Sequence, residues 1–298
     1  MGWTALCGSF GRFAAAEEEL VSTAPGSNDE ASRTTQAESL ANPYVAGSPL
    51  TRAELFFGRA DVFEFIQNAL VGRVQDNIII LYGKRRTGKT SVLYQMHRHL
   101  DRRYIPILID LQGLSLDSTA GFFWEVAGAI QRTLRRDRSI ELPRPRREDF
   151  QQDPLQHFQE EFLARVWDAV GDSHLLLMFD ETIRFEEQVQ AGKLGREVFD
   201  YIRSLMQHNQ RLNFIFALGS RLEQMKQEYS VLFNVGLYKE ISFLDPQAVI
   251  NLVTRPVESL YRYDDDAIKR IFTITSGHAY YTQLLCHSLF TRWQQQKH

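Results

Sequence analysis

From residue 43 onward the chain alternates short continuous apolar runs with segments whose apolar residues recur at helical spacing. Residues 61–70 place Val62, Phe63, Phe65, Ile66 and Leu70 on one helical face, whereas residues 77–82 form an unbroken β-rich run that ends in glycine. A run without polar alternation suits a strand buried on both faces of a parallel sheet. A helix over 90–100 follows, then a strand over 104–110, a helix from about 120 to 135, and a basic, proline-containing loop over 136–147. Two more units repeat the alternation: helix 154–170 leads to strand 174–179, and helix 195–207 leads to strand 213–218. Four apolar strands separated by helices predict an α/β fold, a parallel sheet sandwiched by helices through right-handed crossovers.

Beyond residue 245 the periodicity is helical only, with 246–253, 264–273 and 280–292 as the expected helices, Pro246 in a first turn and Gly277 at a boundary. This predicts a small all-helical lid subdomain over 246–298, after a P-loop α/β domain over 43–245. Residues 21–42 are mostly Ser, Thr, Ala, Gly, Asn, Gln and Glu, so they bury too little apolar surface to offset their ordering entropy. Residues 1–42 are therefore expected to be a disordered tail or linker, with at most a marginal helical turn or two over 14–20.

Composition narrows the picture. With 298 residues, 44% hydrophobic and 24% charged, the chain can bury a large core, and its net charge of -3 provides no global field for nucleic acid or an anionic membrane. Cys7 and Cys286 lack the spacing of a zinc site or redox pair, which suits reduced thiols, with Cys286 in the core. No apolar run approaches the roughly 18 residues that span a bilayer. The N-terminus has no basic residues ahead of its weak apolar stretch, and Leu6 stands where a myristoylation signal needs Ser or Thr. The expected location is cytoplasmic, without membrane attachment.

The segment Gly83-Lys84-Arg85-Arg86-Thr87-Gly88-Lys89-Thr90 fits G-x-x-x-x-G-K-[ST], between a buried strand and a helix. The glycines allow the backbone to curl its N–H groups onto phosphates at the positive end of the helix dipole. Lys89 suits the β- and γ-phosphates and Thr90 suits Mg2+. Together with Ser91 these residues form the expected ATP cradle, in which Arg85 and Arg86 either assist the phosphates or face water.

A second site is expected where the apolar strand ending in Phe179 delivers Asp180 and Glu181. A strand of this kind adjoining the loop strand brings Asp180 to Mg2+ and lets Glu181 polarise the attacking water. The strand over 213–218 ends in Gly219-Ser220-Arg221, whose Ser220 and Arg221 are candidate readers of the γ-phosphate. Glu186 and Glu187 read as a solvated loop.

On these residues, over about 42–292, the chain resembles the AAA+-related STAND ATPases, particularly prokaryotic archaeal-ATPase-like and Orc/Cdc6-like nucleotide-binding modules. Phe56-Phe57-Gly58-Arg59 resembles the aromatic-Gly-Arg box that borders adenine in that class, which makes Phe57, Gly58 and Arg59 cofactor-binding candidates. The loop and the Asp180-Glu181 strand resemble Walker A and Walker B, and Gly219-Ser220-Arg221 the sensor-1 region. Thr275 to Tyr281 is similar to the Gly-x-Pro loop of the helical lid, with Ala279 at the usual proline. That makes Gly277 and His278 lesser candidates, His278 reading as a plain loop histidine and Tyr280, Tyr281, Leu284 and Leu285 as lid core.

The resemblance implies a slow, regulatory ATPase switch, with ATP/ADP exchange read by a protein partner or by self-association. A DNA-associated ATPase of the origin-recognition or transposition kind is the alternative, motivated by Arg135, Arg136, Arg138, Arg144, Arg146 and Arg147. Interleaved Asp137, Glu141, Glu148 and Asp149 favour a solvated loop there. A scaffold that binds nucleotide without hydrolysing it is the third reading, and Glu181 speaks against it.

Overall fold

The structure, a computed structural model, describes residues 40–71, 78–219 and 229–297. The expected tail before residue 40, the short helix over 14–20, Cys7, Ser220 and Arg221 lie outside the described residues. Two compact units are present. One contains Pro49–Ala53 and Arg59–Ser242, and the other contains the described residues up to Ser48, Glu54–Gly58 and Phe243 onward.

The first unit is built on five strands, β1 (Ile79–Tyr82), β2 (Tyr104–Asp110), β3 (His174–Asp180), β4 (Leu212–Leu218) and β5 (Leu237–Glu240). They are all parallel, in the order β2-β3-β4-β1-β5. Helices α1 (Ala60–Val71), α2 (Lys89–His99) and α3 (Thr119–Arg138) precede or connect the strands, with Pro154–Gln156, His157–Phe162, Leu163–Val170 and Glu197–His208 farther on. The stretch His157–Phe162 is wound as a π-helix. Central strands are buried on both faces, and β3 is covered from Leu175 to Asp180. Phe179 anchors the core, its ring 5.2 Å from Phe216, 5.8 Å from Phe185 and 6.0 Å from Phe122.

Three expectations are corrected. The sheet has a fifth strand, because β5 is a half-exposed edge whose Leu-Tyr-Lys-Glu sequence carries no apolar run. The acidic strand β3 does not adjoin β1, since β4 lies between them. Helix-strand alternation predicts parallel strands but not their lateral order. Glu186 and Glu187 do not lie in a solvated loop but on the helix Ile183–Gln190. Phe185, fully buried, draws this turn inward, leaving Glu186 1% exposed with its Oε1 accepting from Gln190 Nε2 at 3.1 Å.

The basic stretch is also shorter than expected as a loop, because α3 continues through Arg138. Four of its cations face acids: Arg135 pairs with Glu141 at 3.3 Å, Arg136 with Asp137 at 2.6 Å, Arg146 with Asp149 at 2.8 Å and Arg147 with Asp117 at 2.5 Å.

The second unit holds the helices Pro246–Thr254, Asp265–Thr275 and Ala279–Lys297. Asp245 caps the first by accepting from the Ala248 N–H at 2.8 Å. Its core contains Tyr44, Val249, Leu252, Ile271, Cys286 and Phe290. Burial pushes the Cys286 thiol up to about 12. Of the residues expected as core here, Leu285 packs against this cluster, whereas Tyr281 and Leu284 are 55% and 36% exposed.

Candidate functional site

The loop begins where β1 ends. A Cβ on Gly83 would stand 2.4 Å from the Ile241 carbonyl oxygen and 3.3 Å from Thr87 Oγ1, so only glycine permits this approach to the chain leaving β5. Thr87 is buried, and its hydroxyl donates to the Lys84 carbonyl at 3.0 Å. Gly88, at φ 105° in the left-handed region, then turns the chain into α2. No heavy atom would lie within 4 Å of a Cβ there, which leaves the head of the helix open to a ligand. The first turn of α2 carries no acidic side chain and no side-chain cap, so its N–H groups and dipole favour an anion.

Lys89 folds back over the loop and donates from Nζ to the carbonyls of Gly83 at 3.0 Å and Lys84 at 2.9 Å. Burial lowers its pKa, while Asp180 and Glu181 act in the opposite direction. Lys84, Arg85 and Arg86 are exposed on the loop, with Arg86 at a left-handed φ of 64°. The Ser91 side chain is turned elsewhere, its Oγ accepting from the Leu50 N–H at 3.0 Å.

Asp180 closes β3 with 5% exposure. Burial raises its pKa, opposed by the nearby Thr90 hydroxyl and by the Glu181 N–H, which donates to Asp180 Oδ1 at 3.0 Å. Lys89 and Asp180 each favour the other's charged form although the strands that carry them are not neighbours. Glu181 sits at φ 52°, a conformation costly for a residue with a Cβ. Thr182 holds it there, donating from its N–H to Ala217 O at 3.2 Å and from Oγ1 to Phe179 O at 3.2 Å. Burial and the Asp180 charge raise Glu181, while Lys89 and Arg85 lower it.

Two features escaped sequence reasoning. Asp110 ends β2 in register with Asp180, and its charge raises both Asp180 and Glu181. Only strand pairing brings it there, although an acid ending an apolar strand was a visible signal. Thr182 is the other, and nothing local distinguishes it.

The aromatic-Gly-Arg box is divided. Phe57 and Gly58 belong to the helical unit, where Phe57 packs against the core with the Arg255 guanidinium 6.0 Å from its ring centre. Arg59 belongs to the sheet unit and reaches the loop, its Nη2 donating to the Thr87 carbonyl at 2.9 Å. Gly277 has φ 76°, and its carbonyl accepts from the Leu244 N–H at 2.8 Å. His278 is not a plain loop side chain, being buried between the rings of Phe243 and Tyr281. Gly219 follows β4, and Ser220 and Arg221 lie outside the described residues.

A family model described as AAA domain matches residues 73–225, just over half of the chain, and spans both the loop and the acidic strand. The chain belongs to the AAA domain family. Among solved structures it is similar to a Walker-type ATPase of Pyrococcus abyssi, at 17% identity over 82% of this chain and 70% of that one, with a TM-score of 0.61. It is also similar to the Orc2 protein of Aeropyrum pernix in ADPNP and ADP complexes, at 11% identity over 80% of this chain and 62% of that one, with a TM-score of 0.50. At these identities the likeness shows a shared P-loop fold. No curated protein matches the chain in sequence.

Proposed function

We propose that this AAA domain protein is a Mg2+-dependent ATP-binding and ATP-hydrolysing regulatory switch of the AAA+/STAND type. The observation that carries the reading is the Gly83–Thr90 loop at the bare head of α2, with Lys89 folded over it and the charges of Asp180 and Glu181 acting on that lysine although β4 lies between their strands. Thr90 and Asp180 are hard oxygen donors of the kind that hold Mg2+ beside substrate phosphates, and a buried carboxylate gains most from such a cation. Mg2+ there would neutralise charge on the β- and γ-phosphates.

In this reading the N–H groups around Gly88, Lys89, Thr90 and Ser91 bind phosphate oxygens. Lys89 exchanges its two loop carbonyls for the β- and γ-phosphates, and Arg85 and Arg86 add positive charge at the rim. Glu181 accepts a proton from the attacking water. Ser220 and Arg221 read the γ-phosphate, and Phe57 and Gly58 border adenine. The Orc2 protein's adenine nucleotides support ATP and ADP as the ligands. Turnover is slow, and its output is a protein partner or self-association.

Isothermal titration of Mg·ATP into the wild type and Lys89→Ala tests the reading. Losing a charge-assisted phosphate contact should weaken binding by roughly 1.5–3 kcal/mol. Equal affinity in the two proteins would sink it.

A further inference from the structure

Arg59 is half-buried and stands at φ 71°, left-handed, directly before α1. Its backbone carbonyl accepts from the Val62 N–H at 3.0 Å, which fixes the residue at the helix start. Its guanidinium Nη2 donates to Thr87 O at 2.9 Å and to Ser242 O at 2.6 Å. Ser242 follows Ile241, whose N–H donates to Tyr82 O at 2.7 Å and whose carbonyl lies against Gly83. One side chain therefore ties the middle of the phosphate loop to the chain that already braces its first residue. In a trans peptide the carbonyl and the following N–H point in opposite directions. A carbonyl held toward Arg59 forces the next N–H, that of Gly88, to the other side of the loop.

We infer that Arg59 is a positioning residue of the phosphate loop: by pinning the Thr87 carbonyl it turns the Gly88 N–H toward the phosphates before nucleotide arrives. The inference rests on the nucleotide reading above and differs from the adenine-bordering role that the family resemblance implies. A contact to adenine would serve only nucleotides. A staple on the loop serves any polyphosphate, because it acts on the cradle.

The test uses the full chain with ADP and inorganic tripolyphosphate as probes, and glycine-selective isotope labelling to follow the Gly88 amide by NMR. Arg59→Ala should weaken both probes by about tenfold or more, the loss expected for one well-formed hydrogen bond from a charged donor. It should also abolish the ADP-induced shift of the Gly88 resonance. Arg59→Lys, which keeps the charge without the planar fork, should recover part of both. Wild-type affinity of Arg59→Ala for both probes would overturn the inference, as would weakening confined to ADP. Should Arg59→Ala fail to fold, Arg59→Lys decides: weaker binding of both probes with an altered Gly88 resonance supports the staple, and wild-type behaviour overturns it. Failure of the underlying reading looks different, since the wild type would then bind neither probe or Lys89→Ala would bind as tightly as the wild type.

Discussion

Glu181 occupies a left-handed conformation that only its neighbours maintain, with Asp180 accepting its N–H and buried Thr182 tied to Phe179 and Ala217. Strain of this kind costs on the order of 1–3 kcal/mol and persists where the surroundings over-determine the backbone. The Lys89 charge acts on this carboxylate, which is the base acting on water in the function proposed above. Glu181→Gln keeps the shape and removes the proton acceptor, so ATP affinity should persist while turnover falls by about 10² or more. Single-turnover hydrolysis at the wild-type rate would assign the base elsewhere. Gly83 makes a complementary case, because Gly83→Ala drives a methyl into the Ile241 carbonyl. Overpacking against backbone typically costs about 1–3 kcal/mol. Thermal denaturation should register that loss, and an unchanged midpoint would show that the loop moves aside.

At the level of elements, two histidines make the sheet unit sensitive to acid. His174 opens β3 with its ring 5.1 Å from that of Tyr104, and His99 ends α2 stacked on Phe63 at 3.7 Å. Burial lowers both pKa values from 6.5, aided at His174 by the charges of Arg103 and Arg211 and at His99 by those of His97 and Arg98. The folded chain therefore resists protonation that the unfolded chain accepts. Stability from these groups is present above the unfolded value of 6.5 and is lost as pH falls below it toward the lowered folded values. Denaturant midpoints measured from neutral to mildly acidic pH should decline in the wild type. A His99→Gln, His174→Gln double variant should decline less, and an identical slope would rule these histidines out as the source.

For the whole molecule the question is which macromolecule, if any, the basic stretch attracts. Net charge is -3, and Arg135, Arg136, Arg146 and Arg147 each face an acid within 3.3 Å. Exposed pairs of this kind contribute little to stability, but they reduce the local positive potential. Duplex DNA should bind weakly or not at all near physiological salt, and ATP hydrolysis should not respond to it. Binding at micromolar or tighter, falling steeply with salt and lost in an Arg144→Ala, Arg146→Ala, Arg147→Ala variant, would instead favour the DNA-associated reading. No described helix is long and apolar enough to cross a membrane.

Local chemistry along the chain determined four of the five strands, their helices, the Gly83–Thr90 loop and the Asp180-Glu181 strand end, because periodicity, glycine placement and strand-terminal acids act within a few residues. The tertiary structure decided what depends on distant partners. The edge strand β5 exists because β1 offers it a hydrogen-bonding edge, and β4 enters between the loop strand and the acidic strand. Asp110 joins the acidic pair through strand register, and Glu186 is buried because Phe185 is. Arg59 meets Thr87 and Ser242 across separations of 28 and 183 residues. A lateral neighbour in a parallel sheet follows from crossover packing over the whole core, and no local pattern of residue types encodes that choice.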